Sequence, residues 1–236
     1  MIKVLRFLSF ELAPSCNLAN QHPWCPINDL LRYPDHETRV PSTNEQIISF
    51  AKACIGRGFQ GEIAYHYYSE PCLSIDRIEF IMDALPEAKH ILWTNGHLLY
   101  KVSDERLDKF NSIAISVYEE KDMEYFQGLC LQHPNMTASP APHDRRIEIY
   151  DQKTLSSGGC SRPYETELIV NYYGHLRMCC GDYRGTVPCG HIADDHEALL
   201  DKWEEMSVKC LAGVYPLCWQ CRAIHSPAIH SPAIRS

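Results

Sequence analysis

The segment GEIAYHYYSEPCLSIDRIEFIMDALPEAKHILWTNG, residues 61–96, decides the fold. Residues 61–68 read as a strand and residues 75–85 as a helix. Residues 90–94 (HILWT) read as the next strand, ended by Asn95-Gly96. Strand, helix and strand at this spacing form a βα unit, whose strands lie parallel.

The same alternation runs outward from this unit. Residues 3–12 read as a strand, apolar around Val4, Leu5, Phe7 and Leu8. STNE, residues 42–45, predicts a capping box with Ser42 at the cap and Glu45 three later. It opens a helix with Ile47, Ile48, Ala51, Cys54 and Ile55 on one face, stopped near Gly56 and Gly58. Residues 112–118 predict a fourth strand, residues 119–131 a helix, and residues 146–150 a later strand. About 150 residues precede a cysteine-rich part, whereas a full eight-stranded barrel takes about 250. The expected fold is therefore α/β: an open sheet or a partial barrel, of the (β/α)6 type where a family resemblance of its motifs is followed, then a small cysteine-rich domain of a β-hairpin and a helix. Only about forty residues separate Tyr118 from Cys160. The lower part of the cavity is expected to be thin or completed by another chain. Each conspicuous loop follows a strand: residues 16–25, Ser69-Glu70-Pro71 and Thr94-Asn95-Gly96. Loops at strand ends gather at one rim of such a sheet, so one site is expected there.

Composition narrows the class. The chain has 236 residues, is 45% hydrophobic and carries a net charge of −8 without a basic block. That argues against nucleic acid as the main partner. No apolar run approaches the roughly 18 residues that cross a bilayer, and residues 1–12 lack a signal-peptide core. A cytoplasmic protein with no membrane partner is expected. In a reducing compartment, twelve cysteines point to metal ligation or catalysis rather than to disulfides. Cys54, Cys72 and Cys130 stand alone and read as small core residues. Seven cysteines lie between Cys160 and Cys221.

Residues 152–159 form a polar linker, dividing a domain over 1–151 from one over 152–222. Residues 167–171 and 175–179 flank Tyr172-Tyr173-Gly174 as a hairpin, and residues 194–206 form a helix with Leu199, Leu200 and Trp203. Residues 223–236 repeat a Pro-containing unit and read as a disordered tail. Thirteen residues separate Cys160 from Gly174, and four more precede Cys179. Cys218 and Cys221 close the pattern as C-x-x-C. A hairpin cysteine pair closed by C-x-x-C makes a four-thiolate site, suited to zinc or to an iron–sulfur cluster. Cys180, Cys189 and Cys210 are left over as substitutes.

The run CSRPYETELIVNYYGHLRMCCGDY…CGHIADDHEALLDKW…CWQC resembles the SPASM or twitch-type domain of radical S-adenosylmethionine (AdoMet) enzymes. FELAPSCNLA (10–19), GEIAYHYYSEP (61–71), LWTNG (92–96) and ISVY (115–118) resemble that family's first four strands. The resemblance implies one auxiliary [4Fe–4S] cluster on Cys160, Cys179, Cys218 and Cys221. It also implies AdoMet bound by Ser69, Glu70, Pro71, Thr94, Asn95, Gly96 and Ser116. The implied reaction is hydrogen abstraction by a deoxyadenosyl radical from a peptide or small metabolite. The implied electron donor is a flavodoxin or ferredoxin. Asp182 and Tyr118 are further candidates to line the site.

FELAPSCNLANQHPWCP, residues 10–26, departs from the family loop. Cys16 and Cys25 stand for the first and third cysteines of a three-cysteine cluster loop. The middle one is missing, and His22 stands three residues before Cys25. Two readings stay open: a cluster on Cys16, His22 and Cys25, or a degenerate loop. Cys72, beside Glu70-Pro71, is an alternative third ligand. An imidazole ligand raises a cluster's potential. The rival function is a non-catalytic iron–sulfur or zinc scaffold on the same fold.

Overall fold

The structure, a computed structural model, describes residues 2–34, 37–141 and 160–215. Its strands are β1 (Phe7–Phe10), β2 (Glu62–Tyr65), β3 (Lys89–Thr94), β4 (Ser112–Val117), β5 (Met136–Pro140), β6 (Glu167–Val170) and β7 (Leu176–Arg177). They form one sheet in the order β5-β4-β3-β2-β1-β6-β7. Neighbours are parallel throughout, except that β6 and β7 are antiparallel. The helices are α1 (Asn44–Gly56), α2 (Ile75–Ala84), α3 (Asp104–Leu107), α4 (Met123–Gln132), α5 (Arg162–Glu165) and α6 (His196–Leu211). This is the expected α/β partial barrel. No helix among the described residues is long and apolar enough to cross a membrane.

Alternation along the strands sorts the two faces. Leu8, Phe10, Ile63, Tyr65, Leu92, Ile113, Ile115 and Val117 point outward into the main core. There they meet Ile47 and Phe50 of α1, Ile78 and Ile81 of α2, Phe126 of α4 and Trp203 of α6. The other face carries Phe7, Ala64 and Ile91, packed with Trp93. Its remaining positions are polar or small: Ser9 and Glu167 near β1, and Ser112, Ala114 and Ser116 along β4. The last three are half-buried. Among the described residues, the concave side along β4 therefore carries only small side chains.

Several sequence expectations shift in register. The first strand spans only Phe7–Phe10, because Ile2–Val4 turns as a 3-10 helix. The capping box sits one residue later: Thr43 is the cap of α1 and Gln46 its reciprocal partner, not Ser42 and Glu45. Ser42 is used elsewhere, donating from Oγ to the Tyr172 carbonyl at 3.2 Å. The short, polar β5 (MTASP) and the one-turn helices α3 and α5 were not foreseen. The strand expected at 146–150, the linker at 152–159 and the tail at 223–236 lie outside the described residues. The expected hairpin is present as β6 and β7, but β6 also runs parallel beside β1. The cysteine-rich segment thus continues the same sheet, and Leu168 and Val170 extend the same core.

Gly61 lets β2 begin tight against the approach to β1. A Cβ there would lie 2.3 Å from the Arg6 carbonyl oxygen and 2.6 Å from that of Leu5. These are backbone atoms fixed by the strand pairing, in which the Glu62 N–H donates to the Arg6 carbonyl at 2.9 Å. Gly61→Ala is expected to cost about 1–3 kcal/mol, read as a fall in the urea midpoint at unchanged slope.

Candidate functional site

The C-terminal ends of β1, β2 and β3 lie at one edge of the sheet, and the loops that follow them interlock there. Glu70 is buried at the centre. Its Oε1 accepts from Thr94 Oγ1 at 2.6 Å and from the Cys72 N–H at 3.0 Å, and its Oε2 accepts from the Asn95 N–H at 3.0 Å. The carboxylate thereby caps the 3-10 turn Pro71–Ser74 and ties it to the end of β3. A carboxylate offers about four acceptor positions, so this one keeps capacity for a further donor. Asn95 reaches on from Nδ2 to Asn17 Oδ1 at 2.7 Å and to Cys16 Sγ at 3.7 Å. Gly96 holds φ +81°, and a Cβ on it would meet the Phe126 ring at 2.5 Å. Its place in the turn is set by backbone conformation and packing together. Cys16, Ser69, Glu70, Pro71, Thr94, Asn95 and Gly96 are thus brought to one rim. Ser116 lies on β4, in the concave face rather than in this network.

Just before this turn, Tyr67 holds φ 143°, a conformation that side chains other than glycine's rarely adopt. Strain of this kind persists only where surroundings impose it, often at binding sites. Glu11 imposes part of it. Its carboxylate, buried after β1, accepts the N–H groups of Tyr68 at 3.3 Å, Ser69 at 3.2 Å and Tyr172 at 3.2 Å, and pairs with the buried Arg32. The sequence reading missed Glu11, Arg32 and Asn17. Glu11 was legible as a lone carboxylate at the end of an apolar strand.

The opening loop is built from 3-10 turns at Ala19–Gln21 and Pro26–Asn28, clamped by Asn28 Nδ2 on the carbonyls of Ala19 and His22 at 2.8 and 2.9 Å. Its three candidate ligands have different surroundings. Cys16 Sγ accepts from the Leu18 N–H at 3.4 Å as well as from Asn95, and burial pushes its thiol pKa up. The His22 ring meets Tyr118 edge-on at 4.3 Å. Cys25 packs in a buried cluster with Tyr68 and Tyr183. Cys72 lies 3.5 Å from Thr94 Oγ1, and burial beside Glu70 raises its pKa and keeps it a neutral thiol. Among the described residues, no three His, Cys, Asp or Glu side chains converge as a group able to hold a metal ion.

Of the auxiliary ligand set, Cys160 and Cys179 are half-buried, while Cys218 and Cys221 lie outside the described residues. Cys54 is fully buried in the core, and Cys130 packs against it, as small apolar residues do. Cys189 and Cys210 are likewise buried. The Cys180 carbonyl accepts the Tyr68 hydroxyl, joining the rim to the hairpin. Asp182 is buried and accepts from the Thr186 N–H and Oγ1 at 2.8 and 2.7 Å. Burial pushes its carboxyl up to about 6 against those bonds and Arg177. It organises the turn after the hairpin.

A second polar group occupies the concave face. Glu167, at the start of β6, accepts on Oε1 from Ser9 Oγ at 2.6 Å and from His66 Nε2 at 2.6 Å, with Ser9 and His66 themselves 3.0 Å apart. Arg162 stands 3.9 Å from its other oxygen. The His66 ring lies against Trp93, centroids 4.1 Å apart. Burial alone raises the Glu167 pKa, but the charge and hydrogen bond of His66 and then Arg162 and Ser9 outweigh it and hold it at about 2. Its ordinary value is 4.5. A depressed carboxylate stabilises the fold above its unfolded value, and that contribution is lost as pH falls from about 4.5 toward 2. Glu167→Gln is therefore expected to flatten the fall in stability between pH 5 and pH 3, measured by urea unfolding. The signal available in the sequence was polar residues at inward strand positions, Ser9 in FLSF and Glu167 before LIV.

No family model matches the chain, and no curated protein matches it. Solved structures that share its fold include BtrN in complex with AdoMet and 2-DOIA, at 18% identity, 94% coverage of each chain and a TM-score of 0.69, and selenomethionine BtrN in an open conformation, at the same identity and coverage and a TM-score of 0.63. The likeness shows the fold, an α/β partial barrel, as the sequence led one to expect.

Proposed function

We propose that the chain binds AdoMet at the rim formed by the ends of β1, β2 and β3. The observation that carries this reading is the Glu70 network. One buried carboxylate draws the loops after β2 and β3 together, and Asn95 extends it to Cys16 of the loop after β1. Ligands of parallel α/β sheets bind at such strand ends. Glu70, with the strand-end carbonyls beside it, is the group for the AdoMet ammonium. The fold is shared with BtrN, whose complex holds AdoMet, and this supports AdoMet as the ligand.

Hydrogen abstraction from a peptide or small metabolite is the second reading. It is favoured by Cys16, a thiol inside the same network. Its requirement is an iron–sulfur cluster that the loop does not assemble in this arrangement. The experiment is anaerobic reconstitution, with iron and 5′-deoxyadenosine measured after reduction. A Cys16→Ala/Cys25→Ala double variant runs beside the wild type. An iron content lower by about four per chain in the double variant, with deoxyadenosine formed only by the wild type, supports radical chemistry. Equal iron and no deoxyadenosine leave an AdoMet-binding protein. Loss of AdoMet binding in the wild type would overturn the proposal itself. Under the radical reading, a flavodoxin or ferredoxin donates the electron, and the cysteines at 160, 179, 218 and 221 hold the auxiliary cluster.

A further inference from the structure

The Ser9–His66–Glu167 group is not used by the AdoMet rim, and its geometry points to a chemical role. All three residues sit on inward positions of β1, the end of β2 and β6. His66 directs Nε2 at the buried carboxylate. Its hydrogen bonds involve Nε2 alone, and Nδ1 has no protein partner among the described residues. Nδ1 is also absent from the sealed, unpartnered polar atoms of the interior, so among the described residues it is not closed off. The side chain as a whole is 14% exposed. An imidazole held by a carboxylate on one nitrogen and open on the other is the arrangement of a general base. The carboxylate fixes the tautomer and stabilises the imidazolium that forms.

We propose that His66 is the proton acceptor for the molecule that occupies the concave face beside AdoMet, taking a proton from a substrate hydroxyl. The substrate O–H bond breaks as the Nδ1–H bond forms. Nε2–H stays donated to Glu167, whose charge balances the imidazolium. No electrons change hands in this step. Ser9 is a positioning residue: its hydroxyl donates to the same carboxylate oxygen as Nε2 does. It stands on the carboxylate side of the ring, not on the side of the free lone pair, and so is not a nucleophile activated by His66. The face next to it is lined by small side chains, Ala114 and the hydroxyl-bearing Ser116, half-buried along β4. It suits a compact polyhydroxylated molecule. A purely structural ion pair needs no open nitrogen, and His90 shows the contrast. Its Nδ1 lies 2.9 Å from the Tyr65 hydroxyl and its Nε2 3.0 Å from the Leu85 carbonyl, so both nitrogens are spent.

This proposal rests on the rim reading only for the neighbour it assigns to the substrate, and its test needs no turnover. Nitrogen-15 histidine spectra of the full chain report the tautomer, and mapped diethyl pyrocarbonate modification reports the open lone pair. The expected result is that the uncharged form of the His66 ring carries its proton on Nε2 and that His66 is modified at least about tenfold faster than His90, because acylation needs an accessible unprotonated nitrogen. Glycerol, as the hydroxyl probe, is expected to shift the Nδ1 resonance, and Glu167→Gln to release the fixed tautomer. A proton on Nδ1, or an Nδ1 resonance unmoved by glycerol, would overturn the proposal. Modification as slow as that of His90 would do the same. AdoMet titration of the same sample keeps the two readings apart, since failure to bind AdoMet leaves the His66 result standing on its own.

Discussion

Arg32→Ala is expected to lower the stability of the protein by about 3–5 kcal/mol, the usual cost of leaving one member of a buried ion pair alone. Arg32 is only 2% exposed, and its partner Glu11 is equally enclosed. The guanidinium also lies over the rings of Tyr33, Tyr67 and Tyr68, at 4.9, 5.8 and 5.4 Å. Without it, the Glu11 carboxylate keeps three backbone N–H donors but loses its counter-charge in a buried site. The effect should reach the rim, because two of those donors, Tyr68 and Ser69, lead directly into Glu70. Arg57 makes the comparison. It pairs with Glu197 and Asp201 at 3.1 and 2.6 Å, but those carboxylates are largely in solvent. Such pairs contribute about 0–1 kcal/mol. Urea unfolding of the two alanine variants should show a large fall for Arg32 and little for Arg57. Equal effects would mean that the Glu11–Arg32 pair does not organise the loops.

Glu70→Gln is expected to weaken AdoMet binding by about 10–100-fold, the loss that goes with removing charged hydrogen bonds of about 1.5–3 kcal/mol. The substitution keeps size and shape but replaces one carboxylate oxygen by an N–H donor. The site already directs three donors at that group: Thr94 Oγ1, the Cys72 N–H and the Asn95 N–H. The glutamine amide satisfies one side and sets donor against donor on the other. The loops after β2 and β3 then lose their common anchor, and the negative charge for the AdoMet ammonium goes with it. Equilibrium dialysis with labelled AdoMet checks the affinity. A circular dichroism melt within a few degrees of the wild type checks that the fold survives.

The sheet was legible because its strands are apolar on the outward positions and its helices carry matching faces. Residues 75–85 and 90–94 mark α2 and β3 to within a residue at each end. The rim was legible because its motifs lie at strand ends, where the fold gathers them. What escaped depends on contacts between distant segments. Ser42 and Thr43 are both able to cap α1, and the choice falls to Thr43 because Tyr172, far along the chain, takes the Ser42 hydroxyl. The pairing of β6 with β1 was hidden for the same reason, since a hairpin signal describes only its own two strands. Asn17 is an ordinary loop residue until Asn95 is placed against it. The opening loop left two readings open in the sequence, a ligand set or a degenerate loop. In the structure, His22 and Cys25 go to aromatic neighbours, Tyr118 on one side and Tyr68 with Tyr183 on the other. His66 was noticed only as part of a strand, because its meaning comes from Glu167 across the sheet.

The most direct measurement is a calorimetric titration of AdoMet into the full chain, beside the Glu70→Gln variant. The account predicts one saturable site in the wild type, with Kd about 1–100 μM (about −8 to −5.5 kcal/mol), and binding at least about tenfold weaker in the variant. No binding at millimolar AdoMet, or equal affinity in the two proteins, would contradict the assignment of the rim.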